Sequence, residues 1–124
     1  MTYTINPAQI RWEITRLAVL KPDFRYFQEN NLGAWETCRY VDEETGKGSC
    51  IVGQALMNLG VSKEDLLYHE DQGADFLIRD LFRLSEEDIE FNKNTLNWIR
   101  EVQVQQDLDH TWAFAVHTAN EVDK

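Results

Sequence analysis

The 124 residues are the size of one ordinary domain, and 43% apolar content with 4 Trp, 4 Tyr and 6 Phe gives that domain a bulky core. The net charge of −10 argues against direct nucleic-acid binding, which needs clustered Lys and Arg to replace phosphate counterions. No apolar run approaches the ~20 residues of a membrane span, and Met1–Pro7 lacks the basic-then-apolar order of a signal peptide, so a soluble cytoplasmic protein without membrane contact is expected.

The first element is a helix opening at Asn6-Pro7, with Asn as cap and proline at the first helical position. Ile10, Ile14, Leu17 and Ala18 follow helical spacing, and Pro22 ends the helix near Leu20 by disfavouring helix at Lys21. Residues 21–49 read as irregular. Within them Thr37–Val41 has strand character and Thr45-Gly46-Lys47-Gly48 reads as a turn, so a small hairpin is expected. The aromatic residues of this connection pack it to the core, with Trp35 and Tyr40 as the two expected to serve instead as exposed anchors for a partner.

Cys50 to Leu59 is apolar on most of its circumference and predicts a buried central helix. Gly53 inside it predicts a close helix approach, and Gly60 a C-terminal cap. Val61–Leu66 and Leu84–Ile89 repeat one pattern: Ser at the N-cap, an acid three residues on, and an apolar pair at the staple positions. They predict two further helix starts. Phe76, Leu77, Leu81 and Phe82 mark another helix, and Leu96, Ile99 and Val102 a longer one over about 92–106. Asp109 is expected to cap a last helix whose buried face is Trp112, Ala115, Val116, Ala119 and Val122. The fold class is therefore mainly α: a single domain over residues 1–124, with five or six short helices and at most one small β-hairpin.

The stretch Gly46-Lys47-Gly48-Ser49-Cys50 places a thiol where a glycine-bearing turn becomes a helix, the one plausible reactive position in the chain. A nucleophilic Cys50 with His69, His110 or His117 as base is the alternative, enzymatic reading, as a cysteine-dependent hydrolase or transferase. Against it, such hydrolases usually mount the His on a sheet, and strand signal is almost absent after Cys50. A zinc site from Cys38, Cys50 and two histidines has the ligand types without the spacing, so no metal is assigned. The phosphate-loop pattern is incomplete, and no cofactor is assigned either.

Charge is uneven: residues 1–25 carry +2 and the other 99 carry −12. An acidic surface of this kind suits a basic protein partner. Two segments together, Ser49-Cys50-Ile51-Val52-Gly53-Gln54-Ala55-Leu56 with Leu59-Gly60-Val61, and Gln103-Val104-Gln105-Gln106-Asp107 followed by Trp112, resemble motifs in small uncharacterised proteins of actinobacteria and their phages. The match covers about a quarter of the chain. It implies a shared fold and a bacterial or phage context, and it supplies no reaction. Leu108-Asp109-His110 departs from the pattern, where glycine is common after the Asp, so a different turn is expected there. These readings converge on a small acidic accessory protein without catalytic activity that acts by binding another protein.

Overall fold

The computed structural model describes residues 3–26, 39–42, 45–70 and 72–123. Seven helices lie among them: α1 Pro7–Leu20, α2 Ile51–Asn58, α3 Lys63–Tyr68, α4 Ala74–Leu81, α5 Glu86–Phe91, α6 Lys93–Asp107 and α7 Trp112–Val122. No strand is present among the described residues. The expected hairpin is reduced to a single antiparallel bridge between Val41 and Gly48, and Thr37 and Cys38 lie outside the described residues.

α1 begins as its sequence dictates. The Asn6 side chain accepts from the Gln9 N–H, and the Gln9 side chain accepts from the Asn6 N–H, a reciprocal capping box with Pro7 behind it. Its inner face is Ile10, Ile14, Leu17 and Ala18, with Glu13 also buried. The chain that follows α1 carries carbonyls to the start of α7: Trp112 N–H donates to Phe24 O and Ala113 N–H to Pro22 O. Two of the amides that every helix start leaves unpaired are satisfied in this way.

Three helices end in the same motif. After α2, α4 and α6 a residue in the left-handed region lets the next N–H reach back: Val61 to Leu56 O, Leu84 to Arg79 O and His110 to Gln105 O. The left-handed residues are Gly60 (φ 103°), Arg83 (φ 51°) and Asp109 (φ 64°). Asp109 thus closes α6 and cannot also cap α7. The cap of α7 is Thr111, whose hydroxyl accepts from the Phe114 N–H. Val122, expected on the buried face, is exposed.

α6 is the hub, packing against α7 most extensively and also against α1, α2, α4 and α5. Leu96, Ile99 and Val102 face the core as their spacing predicts, joined by Trp98, whose indole N–H reaches Asn120. α5 joins α6 at Asn92 and buries none of its own residues. No described helix is long and apolar enough to cross a membrane.

Candidate functional site

Cys50 stands at the N-cap of α2 with no solvent exposure. Its sulfur accepts from the Gly53 N–H at 3.4 Å, and its carbonyl from the Gln54 N–H at 2.8 Å. The Ile51 N–H is taken by the Gln106 side-chain oxygen at 2.9 Å. Of the amides at this helix start, the Gly53 N–H is thus directed at the sulfur itself and the Ile51 N–H is taken by Gln106. The histidines are engaged elsewhere: His69 Nδ1 lies 2.7 Å from Gln72 Oε1, His110 stacks on Phe114, and His117 is exposed on α7. The thiol and the three imidazoles are not brought together as a bonded group, and Cys50 acts in this structure as a helix cap.

Gly53 does mark a close approach, but to a different neighbour than expected. A Cβ there would lie 2.0 Å from the carbonyl oxygen of Tyr40, so α2 is pressed on the backbone of the preceding connection and not on another helix. Gly48 is also closely packed, its missing Cβ 2.6 Å from Gln54 Cα. The glycines of the turn serve packing, which accounts for them without a phosphate.

That packing takes Tyr40 into the core at 2% exposure, and its expected role as a surface anchor is corrected accordingly. The phenol donates to Gln72 O at 2.6 Å and accepts from Gln103 Nε2 at 3.1 Å, while Gln103 Oε1 accepts from the Ala74 N–H. Trp35 lies outside the described residues.

Gln106, named in the sequence only within the Gln103–Asp107 motif, is the functional-looking residue that the sequence reading did not single out. Fully buried, its one oxygen accepts from the Ile51 N–H and from the Trp112 indole N–H at 3.1 Å, tying the starts of α2 and α7 to the end of α6. A glutamine in an otherwise apolar register, two turns beyond Ile99, is the signal that could have found it.

Three surface features stand out among the described residues. A cleft of about 510 Å³ opens between the Gly46–Gly48 turn and α2, with Lys21 and Lys47 on its walls. A smaller, apolar groove of about 290 Å³ runs between α1 and α7. The third is a run of charge: residues 62–91 hold ten acidic and three basic side chains, a net of −7 within the −10 of the whole chain. On this run Tyr68 and Phe91 are exposed by 83% and 88%, and Phe76 by half. Glu86, Glu87 and Asp88 occupy the first turn of α5, where the helix dipole favours them, and Asp88 completes a capping box with Ser85. Tyr68, Phe76 and Phe91 do not belong to the hydrophobic cluster of the core, and Phe76 carries the Arg79 guanidinium over its ring.

Comparison with protein-family models finds no match, and neither do comparisons with curated proteins or with solved structures. Among the described residues, no three His, Cys, Asp or Glu side chains are grouped to hold a metal ion.

Proposed function

We propose that this chain is a non-catalytic binding protein that docks a basic protein partner on the segment α3–α5. The observation that carries the reading is the coincidence of charge and exposed aromatics there: a net of −7 across residues 62–91, with Tyr68, Phe76 and Phe91 exposed. Carboxylates steer a basic partner and set the salt dependence, while aromatic side chains in a desolvated centre supply most of the affinity. α5 suits this role because it buries none of its residues in its own fold. A cytoplasmic setting in a bacterium or its phage follows from the resemblance of the two motifs, as analogy.

The test begins with affinity capture from the native host at low and high salt. A captured protein is then purified and titrated against wild type, Glu86→Lys/Glu87→Lys and Phe91→Ala. The expected outcome is a basic partner whose affinity falls with salt and with the charge reversal. Loss of Phe91 should weaken it by ~2 kcal/mol or more, while circular dichroism stays unchanged. Equal affinity across the three proteins would remove α5 from the interface.

A further inference from the structure

A second surface carries a different interaction, independent of the acidic run. α1 turns Ile10, Ile14 and Leu17 inward, and on its opposite side leaves Trp12 and Val19 exposed by 69% and 73%. Ala8, Trp12, Thr15 and Val19 follow one another at spacings of four, three and four, the interval at which one helix seats against another. Beside Val19 lies the apolar groove of about 290 Å³, with Ala18, Val19 and Pro22 on one wall and Ala113, Val116 and His117 on the other. The exposed indole and the groove are a knob and a hole on one face. They are seven residues apart, ~10 Å along the helix axis.

We propose that this face joins two copies of the chain as a symmetric antiparallel α1–α1 pair, each Trp12 seated in the groove of the other copy. A two-fold axis crossing α1 near Thr15 and Arg16 places Trp12 of one copy opposite Val19 of the other, and fills both grooves at once. A self-complementary patch is what a two-fold interface requires.

Charge also selects a second copy for this face. Arg11 is bound to Asp123 at 2.7 Å and Arg16 to Glu13 at 2.5 Å, so the cations flanking the stripe are neutralised within their own chain. The two Arg16 side chains nearest the axis each bring a carboxylate with them. Approach through residues 62–91, by contrast, would set −7 against −7. Two helices of 14 residues meeting along ~20 Å form a small interface, so a weak dimer is expected, in the micromolar range or above.

Sedimentation velocity between about 1 and 300 µM tests this. The expected result is a sedimentation coefficient that rises with concentration, with self-association weakened at least tenfold by Trp12→Ala and by Val19→Asp. Both side chains are largely exposed, so the variants should keep the wild-type circular dichroism spectrum. Register is tested by mixing Trp12→Cys protein with Val19→Cys protein under mild oxidation and mapping linkages by mass spectrometry. A 12–19 linkage supports the antiparallel pair, and a 12–12 linkage without it overturns the arrangement. A monomer throughout the concentration range overturns the proposal and leaves the groove to another protein. A dimer indifferent to both substitutions overturns it too.

Discussion

Around α2 and α6, two glutamines bond to segments far away in the chain. Gln106 bonds to Ile51 and Gln103 to Tyr40, partners 55 and 63 residues away. Between Ser85 and Asn92 the described side-chain hydrogen bonds span three or four residues. The first region holds only when distant segments are all in place, so it should open with the whole fold. The second is self-contained and buries little, and its amides should exchange through local opening. α5 is thus set apart from the long-range bonds that fix the fold, whereas α3 and the start of α4 are tied to Tyr3, Tyr40 and Gln103. Substitutions in the two regions should therefore differ sharply in what they disturb.

The largest effect is expected from Gly53→Ala. The new Cβ would lie 2.0 Å from Tyr40 O and 2.7 Å from its carbonyl carbon, and backbone cannot swing aside as a side chain can. A loss of about 3 kcal/mol or more is expected in urea denaturation, well beyond the ~1 kcal/mol that alanine gains over glycine inside a helix. A stable Gly53→Ala protein would break the comparison at its root, because the tight seat of α2 on the connection would then be dispensable.

Next in size is Gln106→Met. Methionine keeps the length and removes the oxygen, leaving the Ile51 N–H and the Trp112 indole N–H buried without their acceptor. At about 1–3 kcal/mol for each of the two unsatisfied donors, a total of about 2–6 kcal/mol is expected. Ser85→Ala, which removes the corresponding local bond at α5, should cost about 1 kcal/mol. Equal losses in the two variants would show that distant and local bonds are interchangeable here, and the contrast would fail.

That contrast also sets what was legible in the sequence. Asn6, Ser62 and Ser85 are caps because their partners lie three residues on, and Gly60 ends α2 because only local geometry is involved. The core stripes Ile10–Ile14–Leu17 and Leu96–Ile99–Val102 were equally readable from period. Gln106 and Tyr40 were not, since nothing near them in the chain names Ile51, Trp112 or Gln103 as their partners. Asp109 and Thr111 are both good caps, and the left-handed turn closing α6 decides between them. Of the candidate site, the carboxylates of residues 62–91 were in plain view. The exposure of Tyr68 and Phe91 was not, because each lies at the end of a six-residue helix too short for its spacing to assign a face.

A smaller, pH-dependent effect separates the first region further. Two hydrogen bonds from Arg16, at 2.8 and 2.5 Å, hold the Glu13 carboxyl below its ordinary value of 4.5; burial acts against them, and Asn58 and the Arg16 charge add to the lowering. The folded pKa lies below the unfolded one, so this contribution is complete above the ordinary carboxylate value and is lost as pH falls through the folded pKa. Melting temperatures from pH 7 down to pH 3 should show wild type falling more steeply in acid than Glu13→Gln, with the gap between them closing. A constant gap would mean that Glu13 contributes shape and not charge.

The smallest expected effect lies in the acidic run, and it is a gain. Arg83 holds φ at 51° so that the Leu84 N–H can reach Arg79 O at 3.0 Å and close α4. That conformation costs an L-residue ~1 kcal/mol and costs glycine almost nothing. Glycine gives part of this back through its freer unfolded chain, so Arg83→Gly should stabilise by about 0.5 kcal/mol. Arg83→Asn, which tolerates the left-handed region without the added flexibility, is the control for that offset. The site at Gly60 gives the reverse case: a side chain at φ 103° should destabilise α2. A clear loss on Arg83→Gly, not recovered in Arg83→Asn, would mean that the guanidinium is held in the fold. The turn between α4 and α5 would then be tied to the fold, and α5 less self-contained than its local bonds imply. A gain would leave residues 62–91 one charge more acidic and just as folded, a variant expected to bind a basic partner more tightly at low salt and to lose that advantage at high salt.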